Sequence, residues 1–214
     1  MVDNKSTQGN SRSLLHSLVP QSVYARFAVG EFRKACVLVE AGKLNEAEVV
    51  LTNLDSDQLR QQFYATWEEY DRLNKEALKP LSQYPKVKKV DKRMPSAAVV
   101  REVYERDYWA CRWCGTPIIA DKPIKAMHKL FPATFKKGTT NDSMHGLMLS
   151  SRVSLDHVFP HSFGGTNDIE NLVTSCWPCQ FGRGNDLIER LGLSDPRERE
   201  PIPTDWDGCS KFTL

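Results

Sequence analysis

Apolar residues over positions 14–80 recur at helical spacing. In "PQSVYARFAVGEFRKACVLVEAG", Val23, Phe27, Phe32, Cys36 and Val39 follow one another turn by turn. They predict a helix from near Pro20 to Ala41, which Gly42 ends. "KLNEAEVVLTNL" predicts a shorter second helix, so the two read as a helical hairpin. "SDQLRQQFYATWEEYDRLNKEALK" predicts a third, with Ser56 as N-cap and Leu59, Phe63, Trp67, Tyr70 and Leu73 as its apolar stripe. An aromatic stripe at this spacing reads as core before it reads as a base-stacking surface. Pro80, Pro85 and Pro95 then bracket a basic stretch that no single helix can span.

Beyond Pro95 the pattern changes. "SAAVVREVYERD" predicts a short helix leading into "YWACRWCG", and residues 121–150 read as irregular, broken by Pro123, Pro132 and Gly138. "SRVSLDHV" alternates and favours strand, and "NLVTS" reads as a second strand ending at "CWPC". "QFGRGNDLIERLG" offers a helical turn or two, and the proline-rich end is expected to pack back through Trp206. The expected organisation is a disordered tail over 1–13, a helical domain over 14–80, a basic linker over 81–95 and an α+β domain over 96–214.

Composition narrows the class. Hydrophobic residues make up 40% and charged residues 26%, ordinary for a globular chain. No apolar run approaches the ~20 residues that cross a bilayer, and the polar start lacks the apolar segment of a secretory signal. The expectation is a cytoplasmic protein with no membrane partner. A net charge of +2 is modest for a nucleic-acid binder. Residues 1–94 hold 15 Lys and Arg against 12 Asp and Glu, and the dense basic cluster is "KVKKVDKR", Lys86 to Arg93. It reads equally as a solvated linker and as an arm that contacts phosphate.

Four of the six cysteines form two Cys-x-x-Cys pairs, Cys111 with Cys114 and Cys176 with Cys179. Such a pair places two thiolates on one tight turn, at two corners of a tetrahedron around zinc. Gly115 supplies the open backbone that the first turn needs. Together the pairs predict a structural Zn²⁺ site with all four positions filled by protein, although 61 residues lie between Cys114 and Cys176.

Between the two pairs stands "SLDHVFPHSFGG", an Asp-His dipeptide where a strand breaks into a glycine loop. The order Cys-x-x-Cys, strand, Asp-His, glycine loop, Asn, strand, Cys-x-x-Cys, short helix resembles the HNH endonucleases of the ββα-metal superfamily, in the group fastened by a four-cysteine zinc. The residues that carry it are "CRWC", "LDHVFPHSFGG", "IENLV" and "CWPCQFGRGN". "LGLSDPR" and "WDG" also look like the ends of bacterial stand-alone members, so the resemblance covers about residues 96–208.

The resemblance implies a role for each matching residue. His157 matches the general base, and a neutral imidazole can take a proton from water. Asp156 matches the ligand of a catalytic Mg²⁺ or Mn²⁺, for which a hard carboxylate oxygen is suited. Asn171 matches the central Asn, which braces the loop so that the histidine is aimed. Gln180 stands where the family usually has His or Asn as second metal ligand, and it offers a carbonyl oxygen on a longer arm. Arg183 falls where Lys or Arg is common and could hold a phosphate. His161 reads either as a contact to substrate or metal or as a solvent-facing residue. His16, His128 and His145 read as surface residues.

The expected function is a metal-dependent endonuclease hydrolysing phosphodiester bonds of nucleic acid, with DNA favoured by the family precedent. The alternatives are a nucleic-acid-binding zinc module with weakened catalysis and a structural zinc domain for protein contacts. The helical domain is open to a second copy or a protein partner.

Overall fold

The computed structural model describes residues 17–77, 79–85 and 92–214. The tail over 1–13, His16 and most of the basic cluster lie outside the described residues. The fold is mixed α+β, with helices first and a small antiparallel sheet in the C-terminal half.

Helix α1 spans Val23–Glu40 and starts where the Ser22 hydroxyl accepts from Ala25 N at 3.1 Å. Its buried face is Ala25, Ala28, Val29, Phe32, Ala35, Cys36 and Val39. Val23 and Phe27, expected inside, are 83% and 56% exposed. The alanines explain the difference: their small side chains let α2, Leu44–Leu54, lie close against that face. Gly42, with φ of 74°, turns the chain between the two helices.

Helix α3, Asp57–Glu76, buries Leu59, Gln62, Phe63, Thr66 and Leu73. Trp67 is 42% exposed and Tyr70 is half-buried, so the inward stripe is rotated from the all-aromatic one expected. Ser56 occupies the N-cap position, but its hydroxyl makes no capping bond.

The reason for the rotation is what α3 supports. A Cβ on Gly182 of α7, Trp177–Arg183, would lie 2.9 Å from the Thr66 Cβ. A Cβ on Gly146 of α6, Gly146–Ser151, would lie 2.7 Å from Ser56 O. Helix α3 therefore backs the two helices that flank the sheet, and does so at glycine contacts that leave no slack.

Helix α4 spans Ala97–Arg106 and is capped by Ser96. Residues 121–150, expected to be irregular, contain α5, Asp121–Leu130, as well as α6. Pro123 misled the reading because it sits in the first turn of α5, where a missing N–H costs little. His145 and His128 also depart from expectation. His145 is fully buried, accepting from Leu147 N through Nδ1 and facing Leu51 O through Nε2, while His128 Nδ1 meets Phe135 O.

Strands β1, Val153–His157, and β2, Leu172–Cys176, pair antiparallel with Asp156 opposite Val173 and His157 opposite Leu172. Helix α7 begins inside the second cysteine pair, earlier than Gln180, and α8, Ile188–Leu191, follows. One buried cluster joins α1 and α2 to Ile124, Met127, Phe135, Leu147, Cys209 and Phe212. A second surrounds the cysteines with Trp109, Trp113, Ile118, Val153 and Val173. Trp206 folds the C-terminal stretch back, donating from Nε1 to Ile118 O at 2.7 Å while Arg33 lies over its ring. Among the described residues no helix is long and apolar enough to cross a membrane.

Candidate active site

The four paired cysteines meet in the second core. Their sulfurs all lie within 4.8 Å of one another, and Cys114 Sγ is 3.7 Å from Cys176 Sγ. Around zinc with Zn–S near 2.3 Å, the edge of the tetrahedron is about 3.8 Å, so the site fits a Zn²⁺ ion. The long gap between the pairs closes because the β hairpin returns Cys176 to the end of β2. Arg112 N donates to Thr174 O at 2.9 Å and ties the first knuckle to that strand.

The thiols themselves call for a cation. Hydrogen bonds from Cys111, Cys176 and Cys179 hold the Cys114 thiol well below its usual range. Burial pushes Cys176 up, and the crowding of the cluster, led by Cys111, pushes Cys179 up. The cluster favours the thiolate at Cys114 and opposes it at Cys176 and Cys179, whereas a dication stabilises every thiolate that it binds. With all four corners supplied by cysteine, a Zn²⁺ ion held here would have no open position, which is compatible with a structural centre.

Strand β1 ends at His157, with Asp156 and His157 both still paired in the ladder, opposite Val173 and Leu172. Gly165 has a Cβ position only 1.9 Å from Phe159 O, so only glycine fits where the loop closes. Asn171 spans that loop. Its Oδ1 accepts from Phe159 N at 2.9 Å, and its Nδ2 donates to Phe159 O at 3.1 Å and Thr166 O at 3.0 Å.

Asp156 is buried beneath the loop and gathers donors. Arg183 Nη2 reaches Oδ1 at 2.5 Å, while Arg183 Nε at 3.2 Å and Trp113 Nε1 at 2.9 Å reach Oδ2. Burial pushes the Asp156 carboxyl up, against the Arg183 charge and these hydrogen bonds. The Gln180 amide lies 3.2 Å from Asp156 Oδ1 and 3.2 Å from Leu155 O. Both neighbours are acceptors, so the amide nitrogen faces them.

Arg183 sits differently from the expected phosphate contact. Only 2% of its side chain is exposed. Beyond Asp156 its guanidinium donates to His157 O at 2.9 Å and Asp186 O at 2.7 Å, and it lies over the Trp113 ring. Its donors are turned inward, where they hold the end of β1 to α7.

His157 is largely buried, with Nε2 2.9 Å from Asn167 Oδ1. Burial pushes its imidazole below the usual range, opposed by that hydrogen bond and by the Asp156 charge. The His161 ring stands edge-on at 5.7 Å. Thus Asp156, His157, His161, Asn171, Gln180 and Arg183 share one neighbourhood, and the cysteines form a separate centre beside it.

Three supporting residues escaped the sequence reading. Trp113 lies between the first two cysteines, where a buried indole N–H has to find an acceptor. Asn167 sits in a loop and carries no pattern. Asp107, buried beside Arg106, accepts from Thr174 N at 2.7 Å and fixes β2.

Residues 148–194 match the family model described as HNH endonuclease. This segment is an HNH domain. It runs from α6 through the β hairpin to just past α8, and it contains Asp156, His157, Asn171, Gln180 and Arg183. Cys176 and Cys179 fall inside the HNH domain, while Cys111 and Cys114 reach it from outside. Comparison with curated proteins and with solved structures gave no match.

Proposed function

We infer that the protein is a metal-dependent endonuclease that hydrolyses phosphodiester bonds in nucleic acid, with DNA as substrate. The observation that carries this reading is the pairing of Asp156 and His157 at the end of β1, within the segment that matches HNH endonucleases.

His157 takes a proton from a water molecule, and the hydroxide attacks phosphorus while the bond to the leaving oxygen breaks. Burial favours the neutral imidazole, so the base is ready at neutral pH. Asn171 keeps the loop backbone fixed behind the histidine. His161, edge-on beside that ring, is assigned the role of a substrate contact.

Asp156 and Gln180 bring hard oxygens to one point, and in the resting protein Arg183 and Trp113 hold the carboxylate. Asp156 Oδ1 spends one lone pair on Arg183, and its other side faces the Gln180 amide at 3.2 Å. Turning that amide end for end puts its oxygen there, and neighbouring oxygens around octahedral Mg²⁺ are about 3 Å apart. Asp156 and Gln180 would hold the Mg²⁺ or Mn²⁺, which would supply neutralisation of charge on the scissile phosphate.

The test is nicking of a supercoiled plasmid with Mg²⁺ or Mn²⁺, by wild type and by His157→Ala. The variant should lose ~10²–10⁴ in rate while keeping its zinc content and thermal stability. Equal cutting by both would remove His157 from the role of base. DNA binding without cutting by wild type would favour a binding module.

A further inference from the structure

Asn171 is the residue expected to aim the histidine, yet among the described residues its side chain bonds loop backbone, at Phe159 and Thr166. The imidazole is met instead by Asn167, whose Oδ1 lies 2.9 Å from His157 Nε2. The other end of that amide is committed as well, since Asn167 Nδ2 donates to Lys92 O at 2.7 Å. A backbone carbonyl can only accept, so the Asn167 nitrogen belongs on the Lys92 side. The oxygen is then fixed on the His157 side, and it too can only accept. His157 Nε2 must therefore carry the hydrogen, and in a neutral ring the lone pair is left on Nδ1.

We propose that Asn167 is the positioning residue for His157: it fixes the ring as the Nε2–H tautomer and makes Nδ1 the atom that takes the proton from water. The inference rests on the hydrolase reading for its use of Nδ1, but the tautomer itself is a property of the resting protein. The work of aiming is divided. Asn171 holds the backbone that carries the ring, and Asn167 holds the ring.

The anchor of this chain of bonds has its own meaning. Lys92 belongs to the basic stretch that ends at Arg93. The backbone of that stretch therefore reaches the base through a single amide. A wrong tautomer is costly where a histidine must accept a proton, because the lone pair then points away from the water.

The experiment uses full-length protein labelled with ¹⁵N on histidine. Long-range ¹H–¹⁵N correlation spectra at pH 8 report which ring nitrogen of His157 carries the hydrogen, with His157→Ala assigning the signal. Wild type should show the Nε2–H form alone. Asn167→Leu should lose that single form while keeping its zinc, and Asn167→Asp, which keeps an acceptor beside Nε2, should restore it. Cleavage by Asn167→Leu should fall in kcat more than in KM, by up to the ~10²–10⁴ expected for loss of the base itself. An Nδ1–H ring in wild type, or an unchanged Nε2–H ring in Asn167→Leu, overturns the proposal. A wild type with the expected ring that cuts no nucleic acid supports the tautomer and overturns the hydrolase reading.

Discussion

Arg183 and Asp156 form a buried ion pair beside His157, with the guanidinium meeting both carboxylate oxygens. Arg183 also donates to the backbone of His157, so this pair ties α7 to the end of β1. Removing one partner of such a pair strands the other charge in the interior, which typically costs about 3–5 kcal/mol. Arg183→Ala should therefore lose stability on that scale in urea denaturation. Arg183→Lys should recover little, because an ammonium cannot make the two-pronged contact. A surface arginine waiting for phosphate would change stability by no more than ~0.5 kcal/mol.

The cysteine centre predicts about one tightly held zinc per chain, measurable by elemental analysis of purified protein. Cys111→Ser and Cys176→Ser should each lose the metal and the cooperative unfolding of the surrounding core, since all four sulfurs are buried in it. Folded, active protein that carries no zinc would refute this.

Gln180 is where the chain leaves the usual pattern of the HNH endonucleases that it resembles. Ordering its longer side chain costs more conformational entropy than ordering Asn. Cleavage by wild type should thus require high Mg²⁺ and improve with Mn²⁺, and Gln180→Ala should need still more metal. Gln180→Asn or Gln180→His should match or exceed wild type. Rate against metal concentration for these variants is the measurement, and superimposable curves for wild type and Gln180→Ala would exclude Gln180 as a ligand.

His145 predicts a pH effect on stability away from the site. Burial lowers its imidazole from the ordinary 6.5. Below pH 6.5 the unfolded chain binds a proton that the folded chain refuses, so stability falls with pH until the lower folded value is reached. The steepest slope is about 1.4 kcal/mol per pH unit. His145→Asn keeps a side chain able to cap α6 but cannot titrate. The stability difference between wild type and this variant should shift toward the variant as pH falls from 7 to 5, and a constant difference would contradict it.

What could be read from the sequence was whatever depends on short spacing. The helices α1 to α4, the two strands, the cysteine pairs and the Asp-His dipeptide all declare themselves within a few residues. What could not be read depends on partners brought together by folding. Nothing near Arg183 in the chain shows that it will bury itself on Asp156, and a loop residue such as Asn167 has no periodicity to betray it. Pro123 hid α5 because a breaker and a first-turn residue look alike until the helix start is known. On α1 the large residues drew attention to the wrong face, while the alanines marked the right one.

The contact between Gly182 and Thr66 bears on how the protein can be divided. The surface of α7 turned away from the sheet is shaped to the surface of α3, with no room for one extra methyl group. Tyr70 and Asn74 of α3 also meet Asp186, just beyond α7, and Arg190 of α8. The segment that matches the HNH model is therefore not a portable cassette. Grafted onto another chain it would carry an unfinished flank, and it would need the third helix, or a close copy of it, to come along.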